Sequence, residues 1–187
     1  MATRTFLALP LDEIIRRPMV AAQHELDTVG AKVRWTELDQ LHVTVKFLGD
    51  VEDEDLADVC SMAGEVAGGI EAFDFSVARL ICSPPAGYLR MVWVGIEDPT
   101  GRMGELHRQL DLAYSGMGYK AEHRGFHAHL TLGRVKSGEK ILQLRQAVAA
   151  MDAMNFGEQG ADELIVYSSD LAREGPVYTV LATVPLG

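Results

Sequence analysis

Cys60 and Cys82 are the only cysteines in 187 residues, too few for a disulfide framework, and neither belongs to a metal-type Cys-X-X-Cys pair. Two reduced, partly buried thiols are expected. No apolar run is longer than a strand, and the opening MATRTFLALPLDEII lacks the long apolar core and small-residue cleavage site of a secretory signal. A soluble cytoplasmic protein with no membrane partner is therefore expected. Basic residues are scarce as well: 17 Lys and Arg against 27 Asp and Glu leave a net charge of −10, which repels a long polyanion unless cations gather locally. A small phosphorylated ligand, or only the end of an RNA, is easier to accommodate than a duplex. No Gly/Ser-rich linker or low-complexity stretch divides the chain. Residues 1–187 thus read as a single bilobal domain, expected to be a monomer.

What the chain does contain is a repeat. His42-Val43-Thr44-Val45 returns as His129-Leu130-Thr131-Leu132. Side chains alternate across a strand, so each copy sends its imidazole and hydroxyl to one face and its two aliphatic residues to the other, towards a core. Two such strands can offer one pocket two imidazoles, which exchange protons near neutral pH, and two hydroxyls, which donate to phosphoryl oxygens. Phe47-Leu48-Gly49 follows the first copy and Gly133-Arg134 the second. Phe6 stands 36 residues before His42 and Val92 stands 37 before His129, each in an apolar run followed by a helical pattern. The two halves are alike.

The patterning predicts strand, helix, motif strand, helix, strand in each half. Residues 3–9 read as a strand ended by Pro10, and 11–29 as a helix kinked at Pro18 or starting properly there. Residues 32–35 are extended, and 41–48 form the first motif strand. Leu56, Val59, Ala63 and Val66 give a helical stripe within 53–67. Residues 73–81 and 89–96 read as strands around Ser83-Pro84-Pro85-Ala86-Gly87. Asp98-Pro99 starts a helix with Met103, Leu106, Leu110, Ala113 and Met117 on its apolar face. The second motif strand covers 127–135. Ser137 caps a helix carrying Ile141, Leu144, Val148 and Met151, and strands at 163–168 and 177–184 flank a Glu174-Gly175 turn. The expected fold class is α+β: two pseudo-symmetric lobes, each a mainly antiparallel sheet backed by helices, with the motif strands facing across a central cleft.

The paired tetrads, together with Arg4-Thr5-Phe6-Leu7-Ala8, Arg90-Met91-Val92-Trp93-Val94-Gly95, Phe126-His127-Ala128 and the ending Glu163-Leu164-Ile165-Val166-Tyr167-Ser168-Ser169 with Gly175-Pro176-Val177-Tyr178, resemble the 2H phosphoesterase superfamily. Within it they are most similar to the RNA 2′,3′-cyclic phosphodiesterases, formerly called 2′-5′ RNA ligases. Ala128 departs from the proline that many members carry there. The resemblance implies hydrolysis of an RNA 2′,3′-cyclic phosphate to a 2′-phosphate, weak reverse ligation, and no metal or other cofactor. It makes His42 the proton donor to the leaving oxygen and His129 the base that activates water. The residues suit this independently, since in-line displacement at phosphorus needs an acid and a base on opposite sides, while Thr44 and Thr131 hold the non-bridging oxygens. The near symmetry of the tetrads leaves the two proton directions open.

Other residues are weighed against plainer roles. Arg134 and Arg90 are candidate phosphate or ribose contacts, and Phe6 and Tyr178 candidate base-stacking residues, although packing competes for both aromatics. His127 shares the His129 face and, with His123, can be set against a zinc site, but His42 has no matching partner, so His127 is read as a rim residue. Lys46 either lends positive potential or carries its charge to solvent; His24 and His107 read as surface or partly packed. Two alternatives stand beside the RNA-end hydrolase: a related phosphodiesterase of small cyclic nucleotides or ADP-ribose cyclic phosphate, and a non-catalytic module that binds nucleotides or RNA ends. Opposite roles for two histidines predict a bell-shaped rate profile bracketing neutrality.

Overall fold

Strict alternation shapes the motif strands in the computed structural model, which describes residues 1–123, 125–172 and 175–187, with the backbone alone at Leu171. In β3 (His42–Glu52) Val43 and Val45 are buried while His42 and Thr44 stay half-exposed, and in β6 (His129–Val135) Leu130 and Leu132 are buried while His129 and Thr131 are not. α1 (Glu13–Asp27) and β2 (Val33–Trp35) come before β3 in the chain, and α2 (Leu56–Ala67), β4 (Phe73–Ser83), β5 (Met91–Glu97) and α3 (Arg102–Gly116) lie between β3 and β6. β1 (Ala2–Pro10) precedes these, and α4 (Ile141–Ala150), β7 (Asn155–Ala161), β8 (Glu163–Leu171) and β9 (Pro176–Pro185) complete the chain.

Two antiparallel sheets result, ordered β3-β1-β8-β9 and β2-β6-β5-β4-β7. The predicted five-element order recurs in each half, but a lobe is not a half of the sequence. α2 and α3 cover the four-stranded sheet, and α1 and α4 cover the five-stranded one. The helix that follows β1 therefore backs the other sheet, as does the helix that follows β5. Each lobe is built from both repeats, and β3 and β6 approach one another where the sheets meet.

Several boundaries differ from the sequence expectation. α1 runs without interruption through Pro18. The proline removes the bond to the Ile14 carbonyl, but Ile14 is on the exposed face, where water replaces it. α3 starts at Arg102, later than Asp98-Pro99 implied. Asp98 still serves it, accepting from the Thr100 amide at 2.8 Å and the Met103 amide at 2.7 Å. Its buried stripe ends on Tyr114, with Ala113 and Met117 only partly covered. α4 begins after Lys140 in a left-handed conformation rather than at a Ser137 cap. β7 has no counterpart in the sequence expectation: only Phe156 and Ala161 of its residues are buried, and two glycines and a glutamate mask the strand pattern. Glu174, half of the expected turn between β8 and β9, lies outside the described residues. Among the described residues, no helix is long and apolar enough to cross a membrane.

Candidate active site

The strand backbone fixes both imidazoles in the same way. His42 Nδ1–H donates to the Gln40 carbonyl at 2.7 Å, and His129 Nδ1–H donates to the His127 carbonyl at 2.7 Å. With Nδ1 committed to a carbonyl two residues back, the neutral ring keeps its lone pair on Nε2. His42 Nε2 accepts from the Thr44 hydroxyl at 2.9 Å. Both histidines and both threonines line one cleft of about 770 Å³ between the lobes.

A bulge follows each motif at the same place. Opposite β1, Ala8 pairs with Thr44 and Leu7 with Lys46, which skips Val45. Opposite β5, Trp93 pairs with Thr131 and Val92 with Gly133, which skips Leu132. The register thus equates Val92 with Leu7, not with Phe6 as the sequence spacing suggested, and it equates Met91 with Phe6 and Trp93 with Ala8. The aromatic support is consequently asymmetric: Phe6 stacks on His42 with centroids 5.0 Å apart, and Trp93 stacks on His129 at 3.9 Å. Gly133 leaves room for the Trp35 side chain of β2, since a Cβ there would lie 2.6 Å from the Trp35 ring.

The skipped residues turn their carbonyls inwards, and each is met by a buried polar side chain from the helix of the other repeat. His107 of α3 donates its Nδ1–H to Val45 O at 2.6 Å. Gln23 of α1 donates to Leu132 O at 3.0 Å and to Thr36 O at 2.8 Å. His107 is thus buried, with Phe126 stacked 4.4 Å away, a correction to its surface or partly packed reading. Leu132 O keeps the Thr36 amide if Gln23 is lost, but Thr36 O loses its side-chain partner. Gln23→Leu should therefore lower stability by about 1–3 kcal/mol, seen as a shift in urea midpoint; an unchanged midpoint would contradict this role.

Burial lowers the basicity of both imidazoles. His42, enclosed by Phe6, Tyr167 and Tyr178, is pushed down to about 4, with the bond to Gln40 opposing the shift. His129 is lowered in the same direction by burial, against its bond to His127. His42 is thus especially hard to protonate in the unliganded cleft, an order that runs against the donor role implied for it by resemblance.

The remaining candidates separate. Arg134 and Tyr178 line the cleft, and His127 lines it at an exposed position. Phe6 also lines the cleft, but it is 3% exposed and sits among His42, Phe47, Tyr167 and Tyr178, where it supports an imidazole. Arg90 is exposed and does not line the cleft, correcting its expected placement. Lys46 does not carry its charge to solvent. Its side chain is fully buried, with Nζ 2.7 Å from Asp111 Oδ1, 3.0 Å from the Lys120 carbonyl and 3.9 Å from Glu122 Oε1. Sequence reasoning misses Trp93, Arg4 and Arg34, all of which line the cleft. For Trp93 the signal was parity, since it alternates with buried Val92 and Val94. Among the described residues, no group of three or more His, Cys, Asp or Glu side chains converges to hold a metal ion.

A family profile described as LigT like Phosphoesterase matches residues 9–93 and again 94–178. An RNA 2′,3′-cyclic phosphodiesterase of Methanothermobacter thermautotrophicus is 33% identical over 179 residues, covering 96% of each chain. One from Methanocaldococcus jannaschii is 30% identical, covering 95% of this chain and 98% of that one. Among solved structures, a Thermus thermophilus protein superposes with a TM-score of 0.84 at 24% identity, covering 98% of this chain and 97% of that one. Escherichia coli LigT complexed with 3′-AMP gives 0.78 at 24% identity, covering 100% and 99% respectively.

Proposed function

The chain belongs to the LigT-like phosphoesterase family, and from that premise we propose that it hydrolyses RNA 2′,3′-cyclic phosphate ends to 2′-phosphates without a metal ion, with weak 2′-5′ ligation when a 5′-hydroxyl attacks the cyclic phosphate in place of water. The observation that carries this is the pair of imidazoles, each anchored through Nδ1 and each lining one cleft with a threonine two residues on. Thr44 and Thr131 hold the non-bridging oxygens. One Nε2 takes a proton from water as its oxygen bonds to phosphorus; the other, protonated, gives its proton to O3′ as the P–O3′ bond breaks. His129 serves as base and His42 as donor. Since burial disfavours His42 in the charged form, the anionic cyclic phosphate supplies the field that lets it hold the proton. Residues 1–187 act as one bilobal unit, a reading supported by the exchange of α1 and α3 between lobes.

Incubation with RNA ending in a 2′,3′-cyclic phosphate, in the presence of chelator, tests the reaction. A 2′-phosphate should accumulate at a rate unaffected by chelator. A 3′-phosphate product, or activity lost to chelator and restored by zinc, defeats the reading.

The pH dependence follows from the two lowered imidazoles. One must start neutral and the other charged, and kcat/KM reports the free enzyme. Its acid limb should fall near the value of about 4 held by His42 and its alkaline limb below the ordinary imidazole value of 6.5. The optimum therefore lies on the acid side of neutrality instead of bracketing it. A kcat/KM maximum at or above pH 7 would contradict this electrostatic picture.

A further inference from the structure

Against a net charge of −10, the cleft gathers cations beyond its histidines. Arg4 on β1 lines it from one lobe, and Arg34 and Arg134, cross-strand neighbours on β2 and β6, line it from the other. All three lie close enough to Tyr178 for their charge to offset part of the rise that burial imposes on its phenol. Neither Arg4 nor Arg134 has an ion-pair partner among the described residues, although Asp50 is the cross-strand neighbour of Arg4. Among the described residues, the one acidic side chain lining the cleft, Glu122, faces the Lys46 ammonium 3.9 Å away.

Within each sheet the register places these cations beyond the motif, and all three share the neighbourhood of Tyr178. Arg134 lies three residues past Thr131 on β6. In the other lobe Ala8 stands opposite Thr44 and Arg4 stands opposite Asp50, six residues past Thr44 on β3. Arg4 is four residues from Ala8, roughly 13 Å along a strand, a separation shortened by the long arginine stem. Both lobes thus carry a guanidinium past the threonine, on the side away from the histidine. On a nucleotide ending in a 2′,3′-cyclic phosphate, the only other phosphate of that nucleotide is on its 5′ oxygen.

We propose that Arg4, Arg34 and Arg134, grouped around Tyr178, form a second anion subsite for the phosphate on the 5′ oxygen of the terminal nucleotide. The preferred substrate is then a 5′-linked end and not a bare nucleoside cyclic phosphate. This rests on the cyclic-phosphate reading above. Planar guanidinium forks grip phosphate oxygens through paired hydrogen bonds, and three from two lobes close on the group from both sides. The local cations also resolve the problem set by the acidic chain, because a single phosphate meets them without laying a long polyanion across the surface.

The test compares kcat/KM for four substrates: a nucleoside 2′,3′-cyclic phosphate, the same with a 5′-phosphate, a dinucleotide joined by a phosphodiester, and that dinucleotide joined by an uncharged methylphosphonate. The phosphodiester should exceed the methylphosphonate by about 10- to 100-fold, mainly through KM, and Arg4→Gln should shrink that ratio several-fold. A gain from the 5′-phosphate alone also supports the subsite, as one that reads phosphate itself; a gain confined to the phosphodiester supports it as a reader of the RNA strand. Equal rates for charged and uncharged linkages, or a ratio unmoved by Arg4→Gln, overturn it. Affinities for a nucleoside 2′-phosphate and its 2′,5′-bisphosphate, measured by calorimetry, separate this proposal from the catalytic one. Absence of turnover with every cyclic phosphate ends the catalytic reading, while tighter bisphosphate binding that Arg4→Gln abolishes still upholds the subsite. Equal affinities reject it.

Discussion

Replacing His42 or His129 by alanine should lower turnover of a 2′,3′-cyclic phosphate by on the order of 10²–10⁴-fold, the range for loss of a positioned acid or base. Nucleotide binding should weaken far less, because the threonines and the cleft arginines remain. Each ring is tied down by an Nδ1 bond and an aromatic stack, so the asparagine variants offer a check: they keep a polar group at the position but cannot shuttle a proton, and should be as slow as alanine. Circular dichroism and the urea midpoint establish that each variant is folded. Near-native turnover by a folded His42→Ala or His129→Ala would remove two-histidine catalysis from consideration for this chain.

The largest stability loss is expected from Asp111→Ala. Lys46 has no exposure, and its ammonium rests mainly on the Asp111 carboxylate, whose Oδ1 also accepts from the Glu122 amide at 2.9 Å. Taking the carboxylate away strands a buried charge, with Glu122 too distant at 3.9 Å to replace it fully. Breaking such a pair costs about 3 kcal/mol, taken at the low end of the usual range because the acid is 21% exposed. Lys46→Met should cost less, since it removes the buried charge and leaves a carboxylate that water can reach. Urea denaturation ranks the two; a Lys46→Met variant weaker than Asp111→Ala would refute the assignment. Burial alone would raise Asp111, but the bonds from Lys46 and Glu122, with the charges of Lys46 and His107, hold it below the ordinary carboxylate range. A depressed carboxylate stabilises the fold above its unfolded pKa, and that contribution disappears as pH falls through the folded value. Acid should therefore loosen residues 120–122, on the approach to His129.

The motif residues were legible because parity within a strand is a local property: His, Thr and the aliphatic residues between them declare two faces without reference to anything distant. Long helices with regular stripes were legible for the same reason. What the sequence concealed depends on pairing between strands. The bulges at Val45 and Leu132 displace the pairing beyond them, and Phe6, past its bulge, and Trp93, before its own, support the two imidazoles from positions that are not equivalent. The sequence leaves Lys46 between a cleft role and a solvent role because its acid partner is 65 residues away. His107 and Gln23 interrupt apolar faces, and only the carbonyls released by the bulges explain why polar groups belong there. β7 is a strand because β4 has an open edge to pair with, and little in its own residues announces it.

The exchange of α1 and α3 makes the two repeats depend on one another. A single repeat is not a self-sufficient half of this protein, for it would carry a motif strand whose covering helix and bulge-filling side chain belong to another copy. Such a unit could fold only by lending its helix to a twin and borrowing one in return, as two chains that swap arms. With both copies in one chain, that loan is permanent. Gln23 and His107 answer the same need in the two copies with different chemistry. Substitutions in one repeat are therefore to be understood against the strand they serve in the other.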